Sequence, residues 1–391
     1  MKMLSIFLPA LVAMAAVFGV YFKVLRLAKV KRLFDNPEAR KLQKEPVPVL
    51  GGLAVYIGVL AGLAVALCIA PTTVGPLLPV VLMMAVMLYT GSLDDIMGVS
   101  AATRLLLEIG AVLVLVCGSG QSINTFHGLW GIYHLPNYVA VPLTVFAGVG
   151  IINAINMVDG VNGLSSGLCV VCCLLFGISF LQLGDMPDAL LAFVMLAAIV
   201  PFLLHNVFGS TSRMFIGDAG TMTMGIITTW FLIRILNTSV APEALSPGIG
   251  LVSMCLALLI VPVFDTLRVM TMRIVRGYSP FHPDKTHLHH AFVACGFSHC
   301  FTAFCEVLIG LVTYGLGFAS HHLGASVSVQ LYITIACGIL LVWGPYVFLS
   351  RAQDNRWIQN LAKHSHWARK GWWLKFQQWL DAPEKKRMKN E

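Results

Sequence analysis

Charge is scarce in this sequence. Lys, Arg, Asp and Glu make up 11% of its 391 residues, 58% are hydrophobic, and the mean hydropathy is +0.81. Soluble domains carry about 25% charged residues. The shortage excludes a soluble globular enzyme, a disordered chain and a nucleic-acid-binding domain, so no nucleic-acid partner is expected. No internal repeat stands out. No small-residue cleavage site follows the first apolar run, which is expected to stay as a membrane span. Cys169, Cys172 and Cys173 have a C-x-x-C spacing but no flanking His and no second pair. Buried small hydrophobes explain them better than a zinc site. Acids are scarcer than bases, 18 against 26; in a chain bound for lipid, that excess bears on orientation.

What is abundant is long apolar sequence. A helix needs about 20 mostly apolar residues to cross a bilayer. Runs of this kind fall at 3–23, 51–70, 74–92, 104–119, 138–156, 164–183, 189–208, 219–237, 247–272, 302–321 and 326–349. Helices are the expected form, because open strands leave backbone groups unpaired in lipid. The fold class predicted is therefore all-α, a polytopic membrane protein of eleven spans. Residues 1–350 form the membrane region and 351–391 a basic, Trp-rich tail suited to lying on an anionic leaflet or to being simply solvated. Eight basic residues lie between Lys23 and Lys44 and ten between Arg351 and Lys389, whereas the loops at 71–73, 120–137, 184–188, 238–246 and 322–325 hold none. By the positive-inside rule the N-terminus is outside and the C-terminus cytoplasmic.

Four polar motifs precede even-numbered spans, on the side the rule makes cytoplasmic: Gly91-Ser92-Leu93-Asp94-Asp95, Asn153 to Leu164, Phe215 to Thr221, and His282 to His290. Acids at a bilayer are costly and suggest function. Asp94, Asp95, Asp159 and Asp218 sit beside glycines that permit close backbone approach. Helix N-termini and glycine turns attract phosphate, which carboxylates repel unless a cation lies between. A few oxygen ligands completed by substrate phosphates are the habit of Mg²⁺. The pattern points to a Mg²⁺-dependent site for a phosphorylated substrate. Each motif also has a plain alternative: an N-cap for Asp94-Asp95, a helix-joining turn, a cap for the eighth span, a solvated loop or transition-metal site for the histidines. Asp265 and Arg268, three apart, read as a helix-surface pair, and Glu108 and Glu306 as packing or hydration features. A transporter is disfavoured, since its polar groups would lie near the midplane and often in repeats. An intramembrane aspartyl protease is disfavoured because Phe215 occupies the first glycine of its G-x-G-D pattern. A non-catalytic scaffold is the remaining rival.

Taken in order, Asp35-Asn36-Pro37, Arg40-Lys41, Pro48 to Gly52, Asp94-Asp95, Asn153 to Leu164, Phe215 to Gly220, Pro262 with Asp265, and His287-Leu288-His289-His290 resemble the polyprenyl-phosphate N-acetylhexosamine-1-phosphate transferase family. The likeness is greatest to its bacterial undecaprenyl-phosphate GlcNAc-1-phosphate branch, with the phospho-MurNAc-pentapeptide transferases as the alternative. The resemblance implies transfer of N-acetylhexosamine-1-phosphate from a UDP-N-acetylhexosamine to undecaprenyl phosphate, in a bacterial inner membrane, at a cytoplasmic-face site. It implies Asp218 as Mg²⁺ ligand with Asp94 and Asp95 nearby, and Mn²⁺ as the alternative ion. It places Asp159 with Asn153, Asn156 and Asn162 at the nucleotide-sugar site, and His287, His289 and His290 on its phosphates or sugar. Arg40, Lys41 and Arg104 become candidates for phosphate contacts, and a homodimer stays open as the assembly. Two positions depart from the family pattern: Asn162 stands where a second Asp is usual, and Thr221 where Ser is usual.

Overall fold

The computed structural model describes residues 4–37, 42–43, 45–238, 250–280, 282, 284–367 and 371–388. It is a bundle of membrane-length helices: α1 (Leu4–Val30), α2 (Gly51–Ile69), α3 (Pro71–Met97), α4 (Ala101–Ser119), α5 (Asn137–Met157), α6 (Leu164–Leu183), α7 (Met186–Phe208) and α8 (Gly217–Leu236). Helix α9 consists of Leu251–Leu258 and Ile260–Val275, bent by 72°. After the short α10 (Leu288–Ala294) come α11 (His299–His322) and α12 (Val327–Arg351). Among the described residues ten helices are long and apolar enough to cross a membrane, eleven with the bent pair counted as one span. The expected polytopic all-α class is what the chain adopts. The one sheet among the described residues pairs two-residue strands, β1 (Phe34–Asp35) and β2 (Val47–Pro48).

Helix α8 is the axis of the bundle, with 94% of its apolar window buried. Its sequence, rich in Gly and Thr, suits this place: small residues let neighbouring backbones come close, as in other membrane helix contacts. A Cβ on Gly91 of α3 would lie 2.3 Å from Ala219 N, and one on Gly52 of α2 would lie 2.4 Å from Gly220 N. Three helices thus cross in backbone contact where α8 begins. The end of β2 and the first turn of α2 complete the crossing: Phe215 N donates to Pro48 O, Gly51 N to Phe215 O and Gly52 N to Ile216 O.

The ninth apolar run is not a straight span, as the hydropathy of 247–272 implies. It breaks at Leu259, where Pro262 has no N–H to offer the carbonyl four residues back and its ring crowds that carbonyl. The freed Leu258 O receives the Cys172 thiol at 3.8 Å. Cys169 and Cys173 are likewise free, buried thiols. The tail contains α13 (Arg356–Lys363) and α14 (Gly371–Met388). Helix α14 packs against the end of α7, with the Phe208 and Trp373 rings 4.4 Å apart.

Candidate active site

A cavity of about 750 Å³ opens at one end of the bundle, where α3, α5, α7 and α9 finish and α4, α6, α8 and α11 begin. Its lining includes Asp94, Asp95, Arg104, Asn153, Asn156, Asp159, Asn162, Asp218, His287, His289 and His290. Segments up to about 200 residues apart in sequence therefore converge on one space. Arg40 and Lys41 lie outside the described residues.

The Asp94-Asp95 pair does not begin the fourth span. It occupies the last turn of α3, and Ser100 caps α4 instead, accepting from Thr103 N. A helix C-terminus is the unfavourable end for an acid, and each carboxylate is compensated from elsewhere. Asp94 accepts from Val99 N at 2.7 Å and from Arg104 Nη1 at 3.1 Å. Asp95 reaches across to α8, whose own cap residue Ile216 has no side-chain acceptor, and receives Asp218 N at 3.0 Å and Ala219 N at 3.2 Å. The plain capping role is thus real, but for a different helix.

Asp218, in the first turn of α8, is oriented by Asn156, whose Nδ2 donates to Asp218 Oδ1 at 2.7 Å and to Thr221 Oγ1 at 2.8 Å. Asp94 and Asp218 line the same cavity, and Asp95, the neighbour of Asp94, bonds the Asp218 backbone. Among the described residues Asp95, Asp159 and Asp218 have no basic partner within ion-pair distance. Carboxylates gathered in one cavity repel unless a proton or cation joins them. Two carboxylates with substrate phosphates suffice for Mg²⁺, so the residues present fit that ion, even though no preformed cluster of three or more metal-ligating side chains occurs among the described residues. On the opposite wall, Ser165 Oγ donates to Asp159 Oδ1 at 2.5 Å. The next residue, Gly160, lies against His289: a Cβ there would sit 2.1 Å from the imidazole Nε2.

The three histidines form a close triangle. The rings of His287 and His289 are 5.4 Å apart and nearly parallel, while those of His289 and His290, 4.3 Å apart, and of His287 and His290, 6.0 Å apart, are tilted. Among the described residues no three side chains are arranged to hold a single metal ion. Burial, followed by the neighbouring His290 and His287, pushes His289 well below the ordinary histidine range, so it is neutral at pH 7.

The anchor of this motif is Asp265, which is no surface residue: it is 1% exposed and Arg268 5%. Its carboxylate accepts from Arg268 Nη2 at 2.5 Å and from Leu288 N, and His287 Nδ1 lies 2.8 Å from Oδ2. The bend in α9 carries Asp265 beneath the histidines. Arg273 forms a two-pronged pair with Asp284 at 2.9 and 3.1 Å, fixing the loop that leads into them. Partial burial would raise the Asp284 carboxyl, but hydrogen bonds from Arg273 and Thr286 prevail and hold it at about 2. Glu108 is also more than packing: it receives Asn153 Nδ2 and sits 3.7 Å from Arg104. Glu306 is fully buried with neither carboxylate oxygen hydrogen-bonded. Sequence reasoning missed Asp265 as an anchor, Asp284, and Asn206 and His299 in the lining. Asp265 alone left a signal, an acid one turn after a proline inside an apolar run.

Comparison with known proteins matches this chain to the family model described as Glycosyl transferase family 4, over residues 77–236. A probable undecaprenyl-phosphate N-acetylglucosaminyl 1-phosphate transferase of Bacillus subtilis strain 168 is 31% identical, over 80% of this chain and 84% of that protein. An undecaprenyl-phosphate alpha-N-acetylglucosaminyl 1-phosphate transferase of Yersinia pestis is 28% identical over 85% and 91% respectively, and its namesake in Escherichia coli strain K12 is 29% identical over 71% and 73%.

Proposed function

The chain belongs to glycosyl transferase family 4, and from that premise we propose that it moves N-acetylhexosamine-1-phosphate, in the first instance GlcNAc-1-phosphate, from a UDP-sugar to undecaprenyl phosphate, releasing UMP. The activities named for the Bacillus and Yersinia relatives support the acceptor and the sugar. One observation carries the reading: Asp218 and Asp94, from two different helices, line one cavity that also gathers Asn156, Asp159 and the three histidines. The excess of basic residues on the same side of the spans argues for a cytoplasmic-face site in a bacterial inner membrane.

The reaction asks little of a general base. A phosphate monoester has a second pKa of about 6 and is largely dianionic at neutral pH. The lipid phosphate attacks the β-phosphorus of the UDP-sugar, the β-phosphorus–oxygen bond to UMP breaks, and a polyprenyl-diphosphate-sugar forms. Asp218, with Asp94 in the same cavity, would hold Mg²⁺ or Mn²⁺, which supplies charge neutralisation to the diphosphate and to departing UMP. Asn156 keeps the Asp218 carboxylate aimed into the cavity. Asp95 secures the first turn of α8 so that this aim does not drift. Asp265 presents His287, and Arg268 neutralises the acid that does so. Arg104 offers a cation near the acceptor phosphate. Catalysis then rests mainly on alignment and electrostatic preorganisation.

The test is purified protein with Mg²⁺, undecaprenyl phosphate and a panel of labelled UDP-sugars. Label is expected in a lipid-linked diphosphate product with UDP-GlcNAc, accompanied by stoichiometric UMP. No lipid-linked product from any donor would refute the reading. Exchange of labelled UMP into UDP-sugar without lipid would mark a covalent two-step route, and its absence the direct one.

A further inference from the structure

The loop that delivers Asp218 into the cavity, Gly209–Ile216, is held from the far end of the chain. Helix α14 places Asp381 against it, fully buried. Asp381 Oδ1 accepts from Ser212 N at 3.0 Å and from Ser212 Oγ at 2.7 Å, and both of its oxygens lie 3.2 Å from Ser210 N. Ser212 is the hub of this loop. Its carbonyl receives the Tyr21 hydroxyl from α1 at 2.8 Å, and its Oγ lies 3.0 Å from His205 Nδ1 of α7. Lys29 joins the same contact, donating to Thr211 O at 3.3 Å and to Glu384 of α14 at 2.7 Å. From Ser212 the chain has little slack: Asn206 Nδ2 holds Met214 O at 3.0 Å, Phe215 N donates to Pro48 O of β2, and Phe215 O accepts from Gly51 N of α2. Six residues beyond Ser212 stands Asp218.

Burial alone would disfavour an ionised Asp381, yet the hydroxyl and amides of Ser212 and Ser210 outweigh it and hold the carboxyl below its ordinary range. A carboxylate that gathers backbone N–H groups fixes their positions more tightly than neutral acceptors do, because charge-assisted hydrogen bonds are roughly twice as strong. An amide in its place would turn an N–H₂ toward donors.

We propose that Asp381 is a positioning residue for transfer: from the carboxyl-terminal helix it locks the Ser210–Ser212 loop and so sets the register of Phe215 to Asp218 in the cavity. The inference rests on the transferase reading for its kinetic consequence, but not for its structural one. It makes the tail a working part of the site, although no described tail residue lines the cavity.

Full-length wild type, Asp381→Asn and Asp381→Glu are to be compared in lipid nanodiscs. Steady-state transfer is measured with both substrates varied and normalised to folded protein, and hydrogen exchange is followed by mass spectrometry. In Asp381→Asn, kcat is expected to fall roughly 10- to 100-fold, the cost of a misplaced but intact site, with KM for either substrate within about threefold. Exchange should rise across 209–217 and stay unchanged in α8 beyond its first turn. Asp381→Glu, which keeps the charge, should recover most of kcat. The proposal is overturned if Asp381→Asn has wild-type kcat per folded molecule, whether or not its yield falls, or if exchange at 209–217 does not change. If wild type itself makes no lipid-linked product, the transferase reading fails separately, and the exchange measurement alone decides whether Asp381 orders the loop.

Discussion

Two groups of acids, one at each end of the bundle, are handled in opposite ways. At the end away from the cavity, Asp185 and Asp188 share Arg234, with the Asp185 contact at 2.6 Å, and Trp230 Nε1 adds a bond to Asp188 at 2.7 Å. Carboxylates and guanidinium there satisfy one another. At the cavity end Arg104 serves both Asp94 and Glu108, while Asp95, Asp159 and Asp218 have no basic partner among the described residues. Buried ion pairs contribute little net stability but are costly to break. A cluster short of positive charge costs stability in the resting protein, and on the proposed reading it would become favourable when a cation and phosphates arrive. On that reading the contrast separates acids that hold the fold from acids that work in it.

Three substitutions sharpen the contrast. The largest effect is expected for Asp218→Asn, which should lower lipid-linked product formation by at least about 100-fold while leaving the melting temperature equal or higher, as measured by radiolabel transfer and by fluorescence thermal unfolding. Next, Asp188→Ala should do the reverse. It leaves Trp230 without its acceptor and Arg234 with Asp185 only, destabilising the protein by about 1–3 kcal/mol, whereas transfer per folded molecule should stay within about twofold. If Asp188→Ala abolished turnover of the folded fraction, the division between the two ends would not hold. The smallest effect is expected for Asn162→Asp, which restores the family's usual acid. Asn162 lines the cavity and can already accept a hydrogen bond, so the KM for the UDP-sugar should shift by no more than about threefold in initial-rate measurements.

Much of the fold was legible in the sequence because each span is a single long apolar run, and lipid leaves the chain no alternative to helix there. The end of the bundle where the site forms was legible for a related reason: polar residues among such runs stand out. What stayed hidden depended on direction. Hydropathy averages over 247–272 and is blind to the bend at Leu259, which turns Asp265 from a surface pair into the support of His287. The Asp94-Asp95 motif was found but set at the wrong helix end, since two apolar runs separated by a few residues do not say where the first one stops. Asp381 had no signal at all. In a tail with ten basic residues it reads as one more solvated charge, and only the packing of α14 on α7 shows it buried.

The backbone crossing of α2, α3 and α8 has a consequence for how this catalyst can diversify. With Gly52 and Gly91 too close to α8 to accept even a methyl group, the centre holding Asp94 and Asp218 is incompressible and has only one arrangement. Adaptation to a bulkier or slimmer donor sugar has to be sought in the rim, in the Asp159–Asn162 turn and the loop leading to His287, where the walls are chain segments rather than interlocked helices. On the proposed reading, chemistry and selectivity would in this way fall to parts of different stiffness.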